Sequence, residues 1–104
     1  MKKITFGALC LSAAITTSLT QAQALNPSQV RSLAASCAAC HGTNGQAQAG
    51  MVPLAGQPAL VIAQKMQDFK AGRVPTATIM HQLAKGYQDD EITAIAAFFA
   101  AQKK

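Results

Sequence analysis

The chain has no tryptophan, one tyrosine and only four acidic residues among 104. Its nine lysines and arginines are few, and no set of aromatics interleaves with them as a platform for stacked bases. Nucleic-acid binding is therefore not expected. Strand-like alternation is missing as well, and there is no internal repeat. Without strands there is no strand-to-helix junction of the kind that carries a disulfide-exchange Cys-x-x-Cys motif. A second cysteine pair is also lacking, since the three cysteines are Cys10, Cys37 and Cys40. Structural zinc needs about four ligands, and only His81 and scattered carboxylates could join Cys37, Cys40 and His41. A structural disulfide between Cys37 and Cys40 would close too short a loop to stabilise much.

What is present is the run Cys37-Ala38-Ala39-Cys40-His41. Cys-x-x-Cys-His is the attachment signature of c-type haem. Residues at i, i+3 and i+4 share one helix face, so Cys37, Cys40 and His41 can converge on one flat ligand. The two thiols suit addition to two vinyl groups, and the imidazole is left as an iron ligand.

The first residues read as a secretory leader. Lys2 and Lys3 precede an apolar stretch from Ile4 to Leu19, and Ala22-Gln23-Ala24 follows as an A-x-A-like cleavage site. The stretch falls short of the ~20 apolar residues a membrane span needs. The expectation is a signal peptide over 1–24, Cys10 discarded with it, a single domain over 25–104, and export to the periplasm. No membrane span is expected in the mature chain. A domain of this size is marginal with an apolar core alone, and a buried cofactor would supply the missing core. The formal net charge of +5 falls with the loss of the leader lysines. The remaining lysines and arginines read either as solvated surface or as a weakly positive rim that steers an acidic partner.

Periodicity predicts three main helices. The first starts at Asn26-Pro27, carries Val30, Leu33, Ala34 and Cys37 on one face, and stops at Gly42. Residues 43–57 read as loop. The second helix opens at Pro58, buries Ala59, Ile62, Met66 and Phe69, and ends at Gly72. An extended segment covers 73–80, with a short helical turn near 82–85. The last helix starts at Asp89-Asp90-Glu91, whose charges complement its positive end, and buries Ile92, Ile95, Ala96 and Phe99. The fold is expected to be all-α.

A second iron ligand must come from Met51, Met66, Met80 or His81. Met66 lies on the core stripe of its helix. Met51 is a short reach away in the loop. Met80 follows a proline-containing segment able to wrap the far side of the haem, and it is the preferred candidate. Neighbours in an extended segment point opposite ways, which leaves His81 as surface or rim.

Four stretches carry a family resemblance: Cys37-Ala-Ala-Cys-His41-Gly42, Pro53-Leu-Ala-Gly-Gln57, Phe69-Lys-Ala-Gly-Arg73, and Met80 with Ala84-Lys-Gly-Tyr87-x-Asp-Asp-Glu-Ile92. On these the chain resembles class I cytochromes c, and within them the bacterial cytochrome c4 and c5-like group. The resemblance implies three main helices and loops wrapped around one covalent haem c. It implies Met80 as the distal iron ligand, His41 as the proximal one, and the Pro53 carbonyl as partner of the second nitrogen of His41. Gln88 stands where the family usually has a serine cap, so Asp89 is expected to cap the last helix.

Within that group the chain looks most like haem subunits of flavocytochrome c sulfide dehydrogenases. That implies a one-electron carrier with no catalytic site of its own, serving as the cytochrome subunit of a sulfide–cytochrome-c reductase. Electrons would come from a flavoprotein (FAD) subunit and leave to other redox proteins. The alternative is a freestanding shuttle between respiratory complexes.

Overall fold

Asn26 sets where the first helix begins. Its side chain accepts a hydrogen bond from the Gln29 amide at 3.0 Å, and the Gln29 side chain accepts one from the Asn26 amide at 2.9 Å. This reciprocal pair satisfies amides that a helix start leaves without partners, and Pro27 follows where a missing N–H costs nothing. The computed structural model describes residues 23–104. The leader expected over 1–24, apart from Gln23 and Ala24, lies outside the described residues.

Helix α1 runs Pro27–His41, α2 runs Ala59–Lys70, α3 is the short helix Met80–Leu83, and α4 runs Asp89–Ala100. Single 3-10 turns occupy Thr43–Gly45 and Ala84–Gly86. No strand occurs among the described residues, in keeping with an all-α fold. None of the described helices is long and apolar enough to cross a membrane.

Helices α1, α2 and α4 meet around Ala34, Ile62, Ile95, Ala96 and Phe99. The small side chains Ala34 and Ala96 leave room for the Phe99 ring, which is 1% exposed. A second cluster of Met66, Ala84 and Ile92 lies where α2 and α4 meet the turn after α3. On α4 the buried residues Ile92, Ile95, Ala96 and Phe99 follow the i, i+3, i+4, i+7 spacing expected of one helical face. Met66 is core, as its place on the α2 stripe predicts.

Two local expectations are corrected. Met80 and His81 are not extended: the amides of Gln82 and Leu83 both donate to the Ile79 carbonyl, at 3.0 and 3.1 Å, and wind this segment into a helical turn. Nor does Asp89 cap α4. Gln88 takes the cap position, with its amide donating to Glu91 Oε2 at 2.8 Å. The Asp89 carboxylate instead accepts from Lys70 Nζ at 2.8 Å and Gln67 Nε2 at 3.1 Å, tying α2 to α4.

The Lys70 and Gln67 hydrogen bonds hold the Asp89 carboxyl below the usual carboxylate range. Arg73 and then Gln64 do the same for Asp68. A carboxyl with a lowered folded-state pKa stabilises the fold above its unfolded value and loses that contribution as pH falls through the folded value. Asp89→Asn is therefore expected to lower the neutral-pH melting temperature slightly and to flatten its decline below about pH 4. Thermal melts across that range check it, and an unchanged acid slope would refute it.

Candidate haem-binding site

Cys37, Cys40 and His41 occupy the end of α1. Cys37 is half-buried and packs against the Ala34–Phe99 cluster, whereas Cys40 is exposed, and both are free thiols. Burial pushes the Cys37 thiol up, against a smaller lowering by its hydrogen bond with Ser36. A thiol with a raised pKa suits disulfide exchange poorly, and no strand-to-helix junction of the kind that motif uses occurs among the described residues.

Gly42 ends the helix at φ 79°, and its amide donates to the Ala38 carbonyl at 3.0 Å. That left-handed step sends the chain away from α1, and the loop then returns. The Gly45 carbonyl accepts from the Leu54 and Ala55 amides at 2.9 and 3.1 Å, and the Gly56 amide donates to the Phe99 carbonyl at 2.9 Å. The fold-back carries Val52 over the His41 ring, whose Nδ1 lies 2.7 Å from the Val52 carbonyl. A carbonyl only accepts, so Nδ1 carries the proton and Nε2 presents its lone pair.

This corrects the expected partner, which was the Pro53 carbonyl. Pro53's own carbonyl accepts from Gln57 Nε2. Pro53 acts one residue upstream: a residue before proline is pushed into extended backbone, which restricts how the Val52 carbonyl can turn. Sequence reasoning missed Val52 as a site residue, and its place before Pro53 was the available signal.

Met80 opens α3, half-buried, and packs against the cluster of Met66, Ala84 and Ile92. Met51 is exposed in the loop. Arg73 is engaged by Asp68, with Nη2 at 2.6 Å. His81 is half-buried, and among the described residues its Nδ1 is the buried side-chain polar atom without a partner. The Cys37 and Met80 neighbourhoods are adjoining clusters, bridged by Ala63 and Tyr87.

Three observations fit this site to a haem. His41 is held in the tautomer that leaves a ring nitrogen free for a metal. Two free cysteines stand one helical turn apart beside it. Large apolar side chains beside the site residues stay out of the core: Met51, Val52, Ile79 and Leu83 are 43–61% exposed. Apolar surface of that kind is what a flat apolar ligand covers.

Residues 28–103 match the family model described as Cytochrome c. The chain is 39% identical over 72 residues to the cytochrome subunit of sulfide dehydrogenase from Chlorobaculum tepidum, covering 69% of this chain and 64% of that protein. It is 36% identical over 70 residues to cytochrome c-554(548) of Halomonas halodenitrificans, covering 64% of this chain and 84% of that one. With cytochrome c4 of Pseudomonas aeruginosa the identity is 41% over 71 residues, 67% of this chain and 35% of the relative. The chain thus spans less than two thirds of the Chlorobaculum subunit and about a third of that cytochrome c4. With the attachment spacing of Cys37 and Cys40 in place, the chain belongs to the cytochrome c family of electron carriers, and its cofactor is covalently bound haem c.

Proposed function

We propose that this chain is an exported monohaem cytochrome that accepts electrons one at a time from a flavoprotein (FAD) subunit oxidising sulfide. The roles follow residue by residue. Cys37 and Cys40 would hold the haem as thioethers, and His41 Nε2 and the Met80 thioether would serve as its iron ligands. A signal peptide over 1–24 directs the domain over 25–104 to the periplasm.

Haem iron, when bound, supplies the one-electron couple. The protein's own residues set the conditions for it. The Val52 carbonyl fixes the orientation and tautomer of His41 through the Nδ1 proton. A soft thioether from Met80 favours the reduced metal, so the His/Met pair raises the potential relative to two histidines. With His41 and Met80 both engaged, the iron would offer no position to a substrate. The chain's work is outer-sphere electron transfer.

The His41–Val52 bond is the observation that carries the carrier reading. For the flavoprotein partner, support comes from the likeness to the Chlorobaculum sulfide dehydrogenase subunit. The test is purification from the native host without stripping partners. An absorption spectrum with both c-type haem and flavin, and sulfide-dependent reduction of the haem, is expected. The same haem without flavin would replace this reading with a freestanding shuttle. Mass spectrometry of the denatured mature chain should show the mass of one haem on a chain starting at Leu25.

A further inference from the structure

Tyr87 holds a position that neither the motif nor the family likeness assigns. It lies between the turn following α3 and the start of α4, and its half-buried side chain packs against both core clusters. The first of those clusters has Cys37 packed against it and the second has Met80. Ala63 is the other side chain shared by the two, but it has no polar group with which to fix a register. Tyr87 does have one. Its hydroxyl lies 2.5 Å from the Ser36 hydroxyl, on α1 immediately before Cys37. Its backbone carbonyl accepts from Lys70 Nζ at 2.8 Å, and the same ammonium pairs with Asp89. The amide of Tyr87 also donates to the Ala84 carbonyl at 3.3 Å, which ties it to the turn running on from Met80.

These contacts make one continuous strut. At one end is the helix carrying Cys37, Cys40 and His41. At the other is the short helix opening with Met80. We propose that Tyr87, through its hydrogen bond to Ser36, is a positioning residue that fixes the Met80 segment relative to the haem-attachment helix and so keeps the methionine on the iron. This rests on the assignment of Met80 as the distal ligand. Tyr87 itself touches no reacting atom in this role. It acts by limiting how far the segment from Met80 to Gln88 can drift from α1.

The test uses the haem-loaded protein and the variants Tyr87→Phe and Ser36→Ala, which remove the hydroxyl pair from either side with little change in volume. Two readouts report the methionine directly: the long-wavelength sulfur-to-iron charge-transfer band of the oxidised protein, and its affinity for cyanide, which binds only when the methionine is displaced. A net hydrogen bond of ordinary strength predicts cyanide binding tighter by about three- to tenfold in either variant, with a weaker band. The double variant should add little beyond either single one, because both remove the same bond. Asn26→Ala serves as the control. It weakens the α1 cap and leaves the Ser36–Tyr87 bond itself untouched.

Cyanide affinity within twofold of the parent in both variants would overturn the inference. So would an Asn26→Ala effect as large as that of Tyr87→Phe, since that would report general loosening. Absence of the band in the parent would instead remove the Met80 assignment, so the two failures are distinguishable.

Discussion

Replacing Met80 with alanine is expected to abolish the sulfur-to-iron band, open the haem to cyanide and imidazole, and lower the midpoint potential sharply. Loss of the soft ligand removes its preference for reduced iron, and axial ligation tunes haem potentials over a range of ~0.8 V. The fold should survive, because Met80 begins a short helix and is only half-buried at the edge of its cluster. The other methionines separate ligation from packing. Met51→Ala should leave spectrum and stability alone, since Met51 is exposed. Met66→Ala should leave the band and cost about 2–5 kcal/mol, the usual penalty for emptying a buried site. Spectra, potentials and chemical unfolding of the three variants decide the matter. Persistence of the band in Met80→Ala would end the assignment.

A second large stability effect is expected from Gly45→Ala. Gly45 is buried at φ 77°, and a Cβ there would stand 2.7 Å from the Ala55 amide nitrogen and 2.9 Å from both Leu54 Cβ and the Phe99 ring. Two of those contacts are with backbone or with a core ring that has nowhere to go, and left-handed backbone adds strain for any side chain. Overpacking and strain together should cost about 3 kcal/mol, a large fraction of the ~5–15 kcal/mol typical of a domain. The effect should also reach the iron's environment. Gly45 closes the fold-back that brings the Val52 carbonyl onto His41, so the Nδ1 proton of His41 should exchange with water faster. Thermal melts and proton NMR of the reduced protein test both consequences. A melting temperature within a degree or two of the parent would refute the packing argument.

The helices were legible because each carries an apolar stripe with a clear start and stop. Ile92, Ile95, Ala96 and Phe99 keep helical spacing without interruption, and Asn26-Pro27 and Gly42 bracket α1 where the structure does. The attachment motif was legible for a different reason: covalent chemistry at fixed spacing leaves its mark in consecutive residues. The loop from Thr43 to Gln57 was not legible, because its path rests on hydrogen bonds to the distant backbone carbonyls of Phe99 and Lys103. Any residue type supplies those groups. The same holds for the Val52 carbonyl, whose identity as the partner of His41 is set by where the loop returns. The turn at Met80 depends on amides that fold back onto Ile79, and its side chains alone gave no helical period. The Ser36–Tyr87 bond joins residues far apart in the chain, beyond the reach of local pattern.

Helix α4, the last of the described helices, supplies Ile95, Ala96 and Phe99 to the cluster that closes over Ala34 on α1. On a ribosome adding about 5–20 residues per second, the stretch between His41 and Phe99 takes on the order of several seconds to make. Throughout that interval the cluster around Ala34 lacks Ile95, Ala96 and Phe99, so the face of α1 that carries Cys37 is covered only in part. The order of synthesis therefore leaves the attachment helix accessible longest, and the final helix shuts it in.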